Sequence, residues 1–345
     1  MSKAIAFSRR TMLVLPFGLA ACSFEQQEQI IEISGLTMGT YYKVKAVGAP
    51  SHLKQSDIAA GIEEGLAEVN HQLSNWNSSS EISRLNAART TDIVDVSPML
   101  AEVMNAAAEV NTLSAGRFDT TITPLIELWG FGAEGARNKA PSEAQIEQAL
   151  ANTGHGNTLE VRGNGVRKKV GDAQIFLSAI GKGYGADVIG RALANVGIEN
   201  YLIEIGGDLY AHGTNEHGKP WRVGVETPQT AGRGVMEVVG ISNLGMASSG
   251  DYRNYFEQDG VRYSHVIDPT TGKPITHHTA SATVLAENAM LADAWATAML
   301  TLGREAGVEI ADKNGVAVMF IERDLGSQSE RFKVTKNSLF EAVQA

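Results

Sequence analysis

His265 lies in Val261-Arg262-Tyr263-Ser264-His265-Val266-Ile267, where polar and apolar residues alternate as in a strand. A period of two would put Tyr263, His265 and Ile267 on one face. Asp259-Gly260 before it is a hairpin-turn dipeptide, and Asp268-Pro269-Thr270-Thr271-Gly272 closes the run in a tight turn. An imidazole on a strand that runs into a rigid turn suits a positioned base near neutral pH. The same pattern also fits a hairpin with one structurally satisfied histidine. Upstream, Ala247-Ser248-Ser249-Gly250 is small and polar, and Asp251-Tyr252-Arg253-Asn254-Tyr255-Phe256 gathers acid, base, amide and aromatic groups.

A second candidate lies at Met290-Leu291-Ala292-Asp293-Ala294-Trp295-Ala296-Thr297. Asp293 and Thr297 are four residues apart, so on a helix both oxygens project from one face. Their neighbours are apolar, and a carboxylate there is costly without a partner. A hard cation such as Mg²⁺, which takes one or two carboxylates plus phosphates and water, would satisfy it. A surface aspartate beside a threonine bonded to a backbone carbonyl has the same spacing. Other chemistries lack their residues. There is no G-x-x-x-x-G-K-[ST], no H-E-x-x-H, no G-x-S-x-G and no cysteine cluster for zinc. Gly181-Lys182-Gly183-Tyr184-Gly185 fails the dinucleotide G-x-G-x-x-G spacing.

The elements that must hold these residues are legible in part. Leu36–Val44 reads as one strand. Ile58, Ile62, Leu66, Val69 and Leu73 recur at helical spacing, with Asp57 as expected N-cap. Ser97 and Pro98 open a second helix that Gly116 stops. Ser142-Glu143-Ala144-Gln145 is a capping box, and Asn164-Gly165 joins two short strands. Ala173–Leu177 reads as a strand and Ser178 as the start of a glycine-rich helix. Tyr201–Asp208, Trp221–Glu226, Val235–Ile241, Leu244–Ser248 and Ala280–Ala286 add strands. Asn288 caps a helix over 289–302 that Gly303 closes; a short helix and two strands follow. Interspersed helices and hairpin-linked strands predict an α+β fold, mainly antiparallel sheets with packed helices.

The chain has 345 residues, 43% of them apolar, enough for a substantial core. Its formal charge is −10, and loss of Lys3, Arg9 and Arg10 with the first 21 residues would take it to −13. No basic patch is visible, so nucleic acid is not an expected partner. Lys3, Arg9 and Arg10 precede a short apolar run ending in Leu19-Ala20-Ala21-Cys22, which resembles a bacterial lipobox. Ser8-Arg9-Arg10 also looks like a twin-arginine export signal. The expected organisation is a signal peptide over 1–21, a polar tether over 22–34 and one domain over 35–345. The expected location is the periplasmic side of a bacterial membrane, anchored by lipid on Cys22. Cys22 is the only cysteine, which excludes an intramolecular disulfide.

Separated blocks now add up. They are Met38-Gly39-Thr40, Leu73-Ser74-Asn75-Trp76, Gly116-Arg117-Phe118-Asp119, Leu128-Trp129-Gly130-Phe131-Gly132, Leu177-Ser178-Ala179-Ile180-Gly181-Lys182-Gly183-Tyr184, Glu204-Ile205-Gly206-Gly207, Ser249–Tyr255, Ser264–Pro269 and Ala292-Asp293-Ala294. In number and order they resemble the ApbE family, the FAD:protein FMN transferases. The resemblance implies a T-fold-related α+β domain that binds FAD in a cleft, with Mg²⁺. It implies flavin contacts from Met38, Trp76, Arg117, Phe118, Asp119, Lys182 and Ile267. It implies magnesium ligands at Ala179, Asp293 and Thr297, and His265 as base. The family moves FMN from FAD onto a Thr or Ser hydroxyl of another protein and releases AMP; here the acceptors would be flavoproteins of the cell envelope. A Mg²⁺-dependent FAD pyrophosphatase and a non-catalytic flavin-binding lipoprotein are the alternatives. Phe176 stands where many members have Asp, and Ala296 where some carry a second Asp, so weaker Mg²⁺ binding is expected.

Overall fold

The computed structural model describes residues 30–132, 139–229, 234–252, 254–324, 326 and 331–344. The expected signal peptide and Cys22 lie outside the described residues. The strand Ile30–Thr37 pairs with Thr40–Val47, so residues 30–34, expected to be tether, belong to the sheet.

Eight strands form one antiparallel sheet. Across it run Ile30–Thr37, Thr40–Val47, Asn200–Ile205, Asp208–His212, Leu244–Gly250, Thr279–Ala286, Ala317–Arg323 and Phe332–Lys336. The helices Gln55–Leu73, Pro98–Leu113, Gly181–Asn195 and Ala289–Asn314 contribute to the core clusters on one face. On the other face Trp221, Val225, Val239 and Phe340 pack against Leu209, Met246, Leu285 and Met319. With both faces covered, a central strand need not alternate: seven of the eight residues of Thr279–Ala286 are buried. A smaller core of Leu125, Trp129, Ile146, Phe256 and Ile267 anchors the hairpin Tyr255–Gln258/Val261–Ser264 beside the main body.

Several expected caps are present. Ser97 accepts from the Leu100 N–H, Asn288 from the Leu291 N–H, and Ser142 and Gln145 form the capping box. Other expectations are corrected. Leu36–Val44 is not one strand but two joined at Met38-Gly39, both with positive φ (49° and 71°). Asp57 lies in the first turn of its helix, whose N-cap is Lys54 without a side-chain bond. Ala173–Leu177 is not a strand of any sheet, though the Phe176 N–H donates to the Thr120 carbonyl. Amides stand in for a strand partner: Asn75 and Asn86 donate to the Ile175 carbonyl, and their own oxygens accept from the Leu177 and Ile175 N–H groups. The glycine-rich helix begins at Gly181, not Ser178. Gly303 breaks the helical conformation within Ala289–Asn314 (φ 71°, ψ 173°), which separates the two helices expected there.

Candidate active site

The N-terminal turns of two helices pack together, and each receives a carboxylate from the other. The Asp187 carboxylate, on Gly181–Asn195, accepts from the Ala289 and Met290 N–H groups, both at 2.8 Å. In return Asp293, on Ala289–Asn314, accepts from the Gly183 N–H at 3.2 Å. Free N–H groups at a helix start need such partners, and the positive end of the dipole favours carboxylates. The helices come this close because Gly183 has no side chain: a Cβ there would lie 2.1 Å from the Ala289 carbonyl oxygen. Burial pushes the Asp187 carboxyl up to about 7, against the lowering effect of the two backbone N–H bonds.

Above this junction a polar cavity of about 310 Å³ is lined by Arg117, Phe118, Asp119, Ala179, Lys182, Asp208, His265, Ile267, Asp293 and Thr297. Nine of the eleven residues named for the site are therefore brought to one wall system; Lys182 also borders the neighbouring recess. Asp293 and Asp208 are 4% and 5% exposed and share one ammonium. Lys182 Nζ lies 2.6 Å from Asp208 and 3.4 Å from Asp293. Burial opposes the Lys182 charge, but Asp293 and then Asp208 outweigh it and hold its pKa above the usual lysine range. Burial raises the Asp208 carboxyl, and the nearby Asp293 charge adds to this. The Thr297 hydroxyl is 3.3 Å from Ser249. A carboxylate and hydroxyl facing a place already favourable to a cation form a donor set that fits a hard ion such as Mg²⁺.

Arg117 follows the turn Ala115-Gly116, and Asn111 and Ser114 bond the Phe118 backbone and hold the loop. Its guanidinium pairs with Asp268, while its Nε is buried and has no hydrogen-bond partner. An anion in the cavity would supply one. Phe118 is buried in the core with an edge on the cavity. The Asp119 carboxylate is engaged within the protein, accepting from Thr121 N and Oγ1 and from His155 N. Its side chain shapes the loop; its place on the wall comes with that.

His265 does not sit in an unbroken strand. The hairpin ends at Ser264 and a two-residue strand resumes at Ile267, so the expected shared face of Tyr263, His265 and Ile267 is interrupted. The Val266 N–H turns to Ser264 Oγ instead of a strand partner, while the His265 N–H still donates to the Asn254 carbonyl at 3.1 Å, opposite it in the hairpin register. His265 Nδ1 lies 2.8 Å from that same carbonyl. A carbonyl only accepts, so Nδ1 carries the proton and Nε2 keeps its lone pair. Burial lowers the His265 pKa, against the opposing effect of the Asn254 bond. Neutral imidazole is therefore the dominant form near pH 7.

Met38 and Trp76 stand apart from the polar cavity, on an adjoining recess of about 130 Å³ that Lys182 also lines. The Met38-Gly39 turn brings the thioether over Gly185, where a Cβ would lie 2.8 Å from Met38 Cε. Trp76 is 71% exposed, an unusual state for a large ring that meets Phe176 edge-on at 6.3 Å. Sequence reasoning missed Asp208 as a site residue. The bend at Gly206-Gly207, both with positive φ, was its available signal.

A family model described as the ApbE family matches residues 38–320. The chain belongs to the ApbE family. A FAD:protein FMN transferase from Vibrio cholerae is 40% identical over 303 residues, covering 88% of this chain and 90% of the relative. One from Haemophilus influenzae is 39% identical over 317 residues, covering 90% and 91%. The solved flavin transferase ApbE from Vibrio cholerae superposes with a TM-score of 0.82 at 37% identity, covering 91% of this chain and 99% of that one. The α+β architecture is thus that of ApbE proteins. Within this ApbE fold Ala296 is fully buried among core residues and Phe176 borders the cavity. The second carboxylate of the site comes instead from Asp208, on a sheet strand.

Proposed function

We propose that this enzyme transfers the FMN half of FAD to a threonine or serine hydroxyl of another protein and releases AMP. Its relatives carry the name FAD:protein FMN transferase. The geometric observation that supports it most is the His265 imidazole, fixed by Nδ1 on Asn254 with Nε2 free, in the wall of a cavity that also holds Arg117 and Lys182.

Arg117 and Lys182 offer positive charge to the two phosphates of FAD. The incoming hydroxyl oxygen forms a bond to the phosphorus on the FMN side. The bond from that phosphorus to the bridging oxygen breaks, the electron pair leaves with AMP, and the hydroxyl proton passes to His265 Nε2. Asp293, Thr297 and Ala179 are the residues that would hold Mg²⁺, which when bound neutralises charge developing on the leaving phosphate. Met38 and Trp76 would pack on flat rings of the dinucleotide.

The test uses envelope proteins from cells lacking this enzyme, incubated with the purified chain, FAD and MgCl₂. Peptide mass spectrometry should find FMN added to Thr or Ser of an acceptor. Free FMN and AMP without modified protein would replace this reading with pyrophosphatase activity, and no AMP at all with flavin binding alone.

Export and anchoring belong to the same proposal. Leu19-Ala20-Ala21-Cys22 supports lipid attachment at Cys22, with the catalytic domain facing the periplasm. Cys22→Ser should move the protein from the membrane fraction to the soluble one; unchanged fractionation would remove the lipid anchor.

A further inference from the structure

His265 stands where packing alone does not hold it. Its ring borders the polar cavity and also a larger adjoining one of about 710 Å³. Open space on both sides leaves few contacts to confine it, and Phe131 meets it edge-on at 6.3 Å. Among the described residues the ring has one hydrogen bond, from Nδ1 to the Asn254 carbonyl. That carbonyl belongs to the loop between the sheet strand Leu244–Gly250 and the hairpin Tyr255–Gln258/Val261–Ser264. The hairpin packs on a small core of its own, with Phe256 and Tyr263 against Trp129 and Phe131. The place of Nε2 in the site therefore depends on what ties loop and hairpin to the main sheet.

Asp251 makes that tie. It follows Gly250 directly and is 3% exposed. Its N–H donates to the Ala280 carbonyl at 3.1 Å, which carries the pairing with Thr279–Ala286 one residue further. Its carboxylate accepts from two arginines. Arg323, at the end of the sheet strand Ala317–Arg323, bonds both carboxylate oxygens. Arg262, on the second hairpin strand, donates to Oδ2 at 2.9 Å and to the Asp251 carbonyl at 2.8 Å. The Arg262 guanidinium also lies over the Tyr255 ring, 4.1 Å from its centroid. Asp251 is three residues before Asn254, and Arg262 is three before His265. One carboxylate thus clamps the two segments that carry the imidazole and its carbonyl, and roots both in the sheet. Guanidinium forks fix direction as well as distance. Buried ion pairs are often no more stabilising than apolar packing, so a fixed geometry is the larger consequence here. Asp251, Arg262 and Arg323 line none of the three cavities described. We propose that Asp251, through Arg262 and Arg323, is a positioning residue for His265, setting where Nε2 meets the incoming hydroxyl while leaving FAD binding to other groups.

This inference rests on the transferase reading, and its test separates the two. The test is a double-mutant cycle on transfer to the acceptor identified by the mass experiment. Asp251→Asn keeps the shape and removes the charge that both arginines share. The turnover number kcat should fall about tenfold or more, because a displacement of about 1 Å costs up to about 10²-fold, while KM for FAD stays within about twofold. In the His265→Gln background the same substitution should cost less than about twofold, since the group it positions is gone. An equal loss in both backgrounds, a rise in the FAD KM that accounts for the loss, or no loss in the parent would each overturn the proposal. Arg262→Gln repeats the cycle with the Asp251–Arg323 pair left in place, and it carries the test if a thermal melt shows the Asp251 variant unfolded. Failure of the transferase reading looks different: the parent enzyme itself would yield no flavin-bearing protein, and the same cycle read on AMP release would still report the coupling to His265.

Discussion

Lys182 Nζ and Asp208 Oδ2 stand 2.6 Å apart, and Asp293 reaches the same ammonium from the other side. The two buried acids therefore depend on one cation. Lys182→Met should destabilise the metal-free protein by about 3–5 kcal/mol, the usual result of stripping the partner from a buried charge. A divalent ion at Asp293 would restore part of this. Thermal melts with and without MgCl₂ should show a larger upward shift in the variant than in the parent; equal shifts would count against a cation site at Asp293.

Asp293 caps Gly183 and is also the proposed metal ligand. Asp293→Asn keeps the volume and removes the charge. Calorimetric titration should show Mg²⁺ binding abolished or strongly weakened, and transfer activity should fall about 100-fold or more, the scale of a lost metal contribution. Mg²⁺ binding equal to the parent would rule out this ligand.

The lowered pKa of His265 sets the sign of the pH response. The neutral imidazole is the active form, and burial disfavours the charged one. Activity should thus exceed half its plateau at pH 6.5, rise to the plateau above that, and fall with a midpoint below pH 6.5, the ordinary histidine value. His265→Gln should remove that limb and cost about 10²–10⁴-fold in rate. A midpoint above 6.5 in the parent would mean another group is titrating.

Close approach of the two helices depends on glycine. Gly183→Ala would drive a methyl to 2.1 Å from the Ala289 oxygen, and Gly245→Ala to 2.2 Å from the Asn288 backbone. Each should cost about 1–3 kcal/mol or more, and Gly183→Ala should also weaken Mg²⁺ binding by shifting Asp293 away from its neighbours. Gly61→Ala is the control: nothing lies within 4 Å of the added methyl, and it should stabilise the helix Gln55–Leu73 by about 0.5–1 kcal/mol. Denaturant unfolding of the three variants checks the order.

Local chemistry was readable from the residues alone. The caps at Ser97, Ser142 and Asn288 and the Asp259-Gly260 turn are short-range arrangements, and the chain forms them as its residue types demand. The Asp293/Thr297 pair was legible for the same reason, since helical spacing fixes which side chains share a face. Ala173–Leu177 was not, because its backbone is held by two asparagine amides about 90 to 100 residues away in sequence. The interruption after His265 was equally hidden, because the Ser264 hydroxyl captures the Val266 N–H that a strand partner would otherwise take.

By itself the sequence determined residue types that suit a phosphate site and a hard cation, the family they resemble and the helices that carry them. Only the tertiary structure decided that Asp208 joins Asp293 on one ammonium, that the Asp119 carboxylate accepts from Thr121 and His155, and that His265 stands in the wall of two adjoining cavities. The reason is range. Hydrogen-bond periodicity is set within a few residues, whereas burial, pKa and the sharing of a charge depend on which distant segments close packing brings into contact.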